Sequence, residues 1–203
     1  MAPRLVIFDM DDVLCRYDLG RRLRALSRLS GRTPRDIRTA IWDSGFEDDA
    51  DSGGYPDVQH YLAEFGQRLG CDISLEQWIA ARREAMVPDA AVLELARRIA
   101  GRAALTIYTN NGPIPKQHFA ALFPEAAEIF TACHCSYEFA TKKPDPASYV
   151  RLLAKLGMIA GETWFIDDKQ SNVEGARLAG LAAHHFRSAP LLAEAARTLA
   201  LIA

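Results

Sequence analysis

Three carboxylates, Asp9, Asp11 and Asp12, follow directly on the apolar run Leu5-Val6-Ile7-Phe8. Acids this close repel one another unless a proton or a cation intervenes. A divalent metal is the simplest resolution, and hard oxygen donors suit magnesium. The pattern recurs at Trp164-Phe165-Ile166-Asp167-Asp168, with Asn172 one helical turn beyond Asp168. Leu105-Thr106-Ile107-Tyr108 runs into Thr109-Asn110-Asn111-Gly112, which offers a hydroxyl, an amide and turn N–H groups able to cradle an oxyanion. Lys142-Lys143-Pro144-Asp145-Pro146 adds a cation that could neutralise a phosphate or a nucleophilic carboxylate. Singly, each segment has an ordinary reading: a solvated acidic turn, a polar turn, an exposed basic loop. Together they supply what a magnesium-bound phosphate requires, because metal and lysine offset charge on both carboxylate and substrate.

The elements around these segments put them on one rim. Leu5–Phe8 reads as a buried strand, and further strands are expected at residues 104–108, 130–136, 163–166 and 182–186. Helices are expected from Pro88-Asp89 to near Gly101, from Pro115, over 146–156, over 173–179 and from Pro190. Alternating strands and helices imply a parallel sheet covered on both faces, with ligands at the carboxyl ends of its strands. The intervening stretch reads as helices with no convincing strand. Leu19, Leu23, Leu26 and Leu29 recur at helical spacing, Thr33-Pro34 starts a helix, Pro56 opens another, and Ser74 with Gln77 resembles a capping box. Residues 43–54 read as an acidic, glycine-rich loop. The expected fold class is α/β: a doubly wound, Rossmann-like parallel sheet (residues 1–15 and 87–203) with an inserted all-helical segment (residues 16–86).

The sequence resembles the haloacid dehalogenase superfamily of hydrolases over essentially its whole length. The order of motifs carries the resemblance: Asp9-x-Asp11, then Thr109-Asn110, then Lys143 before Pro-Asp-Pro, then Asp167-Asp168. The helical insertion matches that family's cap, placed just after the first motif. Asp168 with Asn172 is similar to the sugar-phosphate phosphatase branch and to the phosphatase domain of soluble epoxide hydrolase. The resemblance implies a magnesium-dependent phosphatase for a small phosphomonoester such as a sugar phosphate, working through an aspartyl-phosphate. Asp9 would be the nucleophile, Asp11 the general acid and base, and Lys143 a catalytic cation. Thr109, Asn110 and Lys143 would hold the phosphoryl oxygens. Asp9, the main chain of Asp11, and Asp168 would bind the metal, with Asp167 and Asn172 in support. Phosphomutase chemistry of the β-phosphoglucomutase type shares the first steps. A 2-haloacid dehalogenase fits less well, since family dehalogenases lack the second acid, and an idle phosphate-binding module would not need every one of these residues. The family usually carries Gly or Asn where this chain has Asp12, a residue that tolerates unusual turn dihedrals.

Substrate choice is expected to rest with the insertion, with Phe46 and Glu47 of its acidic loop as the contacts to substrate. Trp42, Phe46 and Tyr55 could form an apolar wall, although the helical period also suits Trp42 to the core. The acidic loop would disfavour substrates with additional anionic groups. The chain of 203 residues is 49% hydrophobic, enough for a real core. A net charge of −2 gives no footprint for nucleic acid, and the early arginines read as a solvated helical face. No apolar stretch suits a membrane span, and the chain enters a strand almost at once, so a cytoplasmic enzyme of a small phosphorylated metabolite is expected. Cys133-His134-Cys135 looks like a metal fragment, but side chains that alternate along a strand cannot all face one ion.

Overall fold

The computed structural model describes residues 2–203. Its core is a five-stranded sheet built from β1 (Leu5–Phe8), β4 (Ala104–Thr109), β5 (Cys133–Cys135), β6 (Thr163–Asp167) and β7 (Ala182–His185), in the order β5-β4-β1-β6-β7. All pairings in it are parallel, with Phe8 opposite Ile107 on one side and Ile166 on the other. Both faces are covered, and β1 shows why its sequence is continuously apolar. Val6 and Phe8 enter one buried cluster with α6 (Ala90–Ala100) and α12 (Ala189–Thr198). Leu5 and Ile7 enter another with α10 (Pro146–Leu156) and α11 (Gln170–Leu178). Because β4 leaves on one side of β1 and β6 on the other, a crevice opens beyond the end of β1. Three short helices, α7 (Pro113–Gln117), α8 (Phe119–Leu122) and α9 (Pro124–Ala127), fill the connection from β4 to β5. Prolines at the start of α7 and α9 set their first turns.

The insertion holds α1 (Leu19–Ser30), α2 (Pro34–Ile41), α3 (Phe46–Asp51), α4 (Val58–Leu69) and α5 (Leu75–Glu84). Local chemistry sets most of its boundaries. Asp18, Thr33, Asp57 and Ser74 cap four of the helices through side-chain oxygens, Pro34 occupies the first turn of α2, and Gly31 and Gly70 end α1 and α4 in the left-handed region. Ser74 and Gln77 do form the reciprocal capping box. Asp57, rather than Pro56, starts α4.

Two expectations are corrected. The region is not free of strand: β2 (Cys15–Tyr17) and β3 (Met86–Pro88) pair antiparallel, Cys15 opposite Pro88 and Tyr17 opposite Met86. Each is three residues long, too short to show a period, and they exist only as a pair. The acidic loop is also not all loop, because α3 occupies its middle. That helix has no side-chain cap and starts after Gly45 at φ 82°, so the usual start signal is missing.

The backbone packs most tightly where α11 crosses the lysine loop. A Cβ on Gly175 would stand 1.9 Å from the carbonyl oxygen of Pro144. Gly175→Ala should therefore force α11 off the loop that carries Lys143. The overpacking should cost about 1–3 kcal/mol, read as a lower urea midpoint at unchanged m-value. An unchanged midpoint would show that the loop yields freely.

Candidate active site

The ends of β1, β4 and β6 and the loop after β5 enclose a small cavity of about 60 Å³. Asp9, Asp11, Asp12, Thr109, Asn110, Lys143, Asp168, Lys169 and Asn172 line it. Four segments that are remote in sequence thus meet at one rim, as parallel strands require. At its floor lies a buried ammonium. Lys143 Nζ is 2.8 Å from Asp9 Oδ1, 2.7 Å from Asp167 Oδ2 and 3.0 Å from the carbonyl of Tyr108. It donates hydrogen bonds to Asp167 and to the Tyr108 carbonyl and forms an ion pair with Asp9. To hold a phosphoryl oxygen it must exchange the bond to Asp9, while Asp167 and the Tyr108 carbonyl keep it in place.

The supporting groups explain that fixity. Asn110 bonds the backbone of Lys143 twice, donating from Nδ2 to its carbonyl at 2.8 Å and accepting its N–H at Oδ1 at 3.0 Å. Asn110 lines the cavity, but its side-chain amide serves the lysine loop. Thr109 Oγ1 accepts from Asn111 Nδ2 at 2.8 Å, which leaves the hydroxyl proton free to donate. Asp167 is saturated: it accepts from Lys143, from the Lys169 N–H at 2.8 Å, and from Asn172 Nδ2 at 2.9 and 3.0 Å. Its neighbour differs, since Asp168 Oδ1 is buried with no hydrogen-bond partner. Asp12 takes φ 60° and its Oδ1 accepts the Tyr17 N–H at 3.0 Å, so an aspartate does fill the turn with unusual dihedrals.

The electrostatics leave the site short of positive charge. Burial pushes the Asp9 carboxyl up to about 8, against the downward pull of the Lys143 ammonium and with a further push from Asp167. Burial also raises Asp168, helped by Asp167. Burial pulls Lys143 down, but the flanking Asp9 and Asp167 carboxylates outweigh it and hold the ammonium charged. Asp9, Asp167 and Asp168 each bring a ligand oxygen within 4.8 Å of the others. With Asp167 committed to protein donors, the buried, unpartnered oxygen of Asp168 and the Asp9 carboxylate are the ones a cation would meet. Hard oxygens at such spacing fit magnesium.

A second cavity, of about 370 Å³, adjoins the first beneath the insertion, and Asp11, Asp12, Asn110 and Lys169 line both. Tyr17, Arg22, Trp42, Glu47, Asp48, Asp51 and Arg82 line the larger one alone. Glu47 faces it, accepting from Tyr61 Oη at 3.0 Å and lying 3.8 Å from Arg22 Nη2. Phe46 does not. It is 3% exposed, stacked 5.3 Å from Tyr61 and packed edge-on against Tyr55 and Phe65. Successive residues of a helix point about 100° apart, so one neighbour turns inward as the other turns to the cavity. Trp42 lines the cavity with one side and meets Phe65 with another.

Arg22 and Arg82 are the residues that sequence reasoning missed. Arg22 is not on a solvated face: it is 4% exposed, with its guanidinium 4.5 Å from the Trp78 ring. The signal was its place between Leu19 and Leu26 on the buried stripe of α1, just as Arg82 lies four residues after Trp78. These cations line the larger cavity beside the acidic residues Glu47, Asp48 and Asp51. Cys133, His134 and Cys135 are buried along β5, and all four cysteines are free thiols.

The comparisons with known proteins agree with this geometry. The family model for haloacid dehalogenase-like hydrolases matches residues 3–180, and the chain belongs to that family. A protein named phosphatase MT3486, from Mycobacterium tuberculosis, is 28% identical over 91% of this chain and 87% of its own. The sesquiterpene phosphatase astK of Aspergillus oryzae is 30% identical over 48% of this chain and 50% of its own length, so the match spans about half of that relative. Among solved structures, the enzyme bt-2542 of Bacteroides thetaiotaomicron, in complex with magnesium and inorganic phosphate, superposes with a TM-score of 0.71. It is 18% identical over 91% of this chain and 94% of its own. The L-2-haloacid dehalogenase of Xanthobacter autotrophicus superposes at 0.62, 21% identical over 95% of this chain and 81% of its own. At such identities the structures show a shared fold. No helix among the described residues is long and apolar enough to cross a membrane.

Lys143→Met leaves two buried carboxylates facing each other. Losing one partner of a buried ion pair costs about 3–5 kcal/mol, so urea unfolding at neutral pH should shift by that amount. A loss below about 1 kcal/mol would show that Lys143 is not what compensates Asp9 and Asp167.

Proposed function

We propose that this hydrolase is a magnesium-dependent phosphatase that cleaves a small phosphomonoester through an aspartyl-phosphate. The observation that carries the reading is the phosphate-sized cavity in which Asp9, the Thr109 hydroxyl, the Lys143 ammonium and the unpartnered oxygen of Asp168 face one another. The phosphatase relatives and the magnesium and phosphate bound by bt-2542 support it. The helices of residues 16–86 would act as the cap that selects substrate, with Glu47 on its inner wall, while the sheet carries the chemistry.

Asp9 attacks phosphorus and expels the alkoxide, which Asp11 protonates. In the second step Asp11 takes a proton from water as it attacks the phosphorus bonded to Asp9, and phosphate is released. Lys143 and the Thr109 hydroxyl hold the phosphoryl oxygens as charge spreads over them. Asn110 keeps Lys143 at its post, and Asn172 with the Lys169 N–H keeps Asp167 there. Magnesium, held by Asp9, the main-chain carbonyl of Asp11, and Asp168, would neutralise charge on the carboxylate and the phosphoryl group. Asp11 separates this reading from dehalogenation, in which a departing halide needs no proton.

A panel of phosphorylated metabolites, assayed for phosphate release with and without magnesium, tests the reading. Release should require the metal and vanish in Asp9→Asn, whose amide is a poor nucleophile. Chloride release from a 2-haloacid with no phosphate release from any ester would overturn it. Asp168→Ala should raise the magnesium concentration for half-maximal activity by more than the ~10-fold that loss of an outer-shell partner costs. An unchanged magnesium dependence would remove Asp168 from the metal site.

A further inference from the structure

Asp11 stands where the two cavities meet, between the phosphate-sized space and the space beneath the helices. Its carboxylate is held from one side only. Oδ2 accepts from Arg82 Nη2 at 2.5 Å, a contact between residues 71 positions apart. Arg82 comes from the last turn of α5, is 2% exposed, and has its guanidinium 4.0 Å over the Tyr17 ring. The other oxygen, Oδ1, meets only the Cys15 thiol, 3.9 Å away and a weak donor. One oxygen of the acid is anchored, and the second is left able to accept a proton.

We infer that Arg82 is a positioning residue that orients Asp11 as the base for hydrolysis of the aspartyl-phosphate. The inference rests on the phosphatase reading. In that step Oδ1 of Asp11 takes a proton from water, the water oxygen bonds to phosphorus, and the bond from phosphorus to Asp9 breaks. The electron pair returns to the Asp9 carboxylate and inorganic phosphate leaves. A planar guanidinium suits the task because it fixes the direction of the carboxylate it bonds, and the Tyr17 ring fixes its own plane. Arg82 acts through Asp11: its Nη2 is occupied by that carboxylate, and its Nε is buried without a partner. The last turn of the insertion thereby takes part in chemistry performed at the sheet.

The test uses p-nitrophenyl phosphate with magnesium, a leaving group that needs little protonation, on the full chain and on Arg82→Met, Arg82→Lys, Asp11→Asn and the Arg82→Met/Asp11→Asn pair. Rapid mixing reads the first release of nitrophenolate, acid quenching the amount of phosphorylated enzyme, and the steady state the water step. Arg82→Met should keep the first release within about threefold of the parent and slow the steady state by about 10- to 100-fold, a loss within the range of general-base catalysis. Phosphorylated enzyme should accumulate, which a merely structural defect would not cause. Arg82→Lys should recover part of the rate, and it carries the test if the Met variant does not fold. In the Asp11→Asn background Arg82→Met should add no more than about twofold, because the two residues act as a unit. Equal slowing of both phases, or the full loss repeated in the Asp11→Asn background, overturns the inference while leaving the phosphatase reading intact. A parent that releases no phosphate from this or any other ester overturns that reading and the inference with it.

Discussion

The structure depends on one buried ammonium. Lys143 is 2% exposed, and a charge in that position is sustained only by the carboxylates around it. Asp9 and Asp167 arrive from β1 and β6, strands that are neighbours only because β1 is central in the sheet. Asn110, from the end of β4, clamps the backbone of Lys143, and Gly175 lets α11 approach the same loop closely enough to present Asn172 to Asp167. Each of these features is costly or idle alone. Together they bring the lysine to the Asp9 carboxylate.

The balance around that lysine is deliberately incomplete in charge. One ammonium faces three nearby carboxylates, and the deficit is expressed in Asp9, pushed up to about 8, and in Asp168, whose buried oxygen has no partner. Asp167 shows the contrast, since three groups, the Lys143 ammonium, the Lys169 N–H and the Asn172 amide, hold both of its oxygens. Two adjacent aspartates therefore stand in different environments, divided by which of them the backbone and Asn172 reach.

The helical insertion follows a different logic. Its interior is an aromatic cluster of Phe46, Tyr61, Phe65 and Trp78, into which Arg22 inserts a cation between rings. A guanidinium can be buried in this way because ring faces and Glu47 replace part of its hydration. The insertion is then tied to the sheet at separate points: the β2–β3 pair, the Ser136 hydroxyl bonded to the Asp51 carbonyl at 2.6 Å, the Lys142–Asp48 ion pair and the Arg82–Asp11 pair. These contacts make one wall of the larger cavity from the insertion and the other from the sheet.

What was legible in the residues is what local physics controls. Continuous apolar runs ending in acids marked β1 and β6, the Thr33-Pro34 and Ser74–Gln77 signals marked helix starts, and the order of motifs around a parallel sheet brought Asp9, Thr109, Lys143 and Asp168 to one rim. Such features are set by spacing within a few residues and by a topology with few solutions. The tertiary structure decided what depends on partners far along the chain. It paired β2 with β3, turned Phe46 into a core and Glu47 toward a cavity, buried Arg22 among aromatic rings, and gave the two aspartates of the β6 end different surroundings. It also set Arg82 against Asp11. Apart from the helical positions of Arg22 and Arg82, these have no local signature, because a side chain's charge environment and its inward or outward direction are fixed by which distant surface it meets, and only the assembled fold supplies that surface.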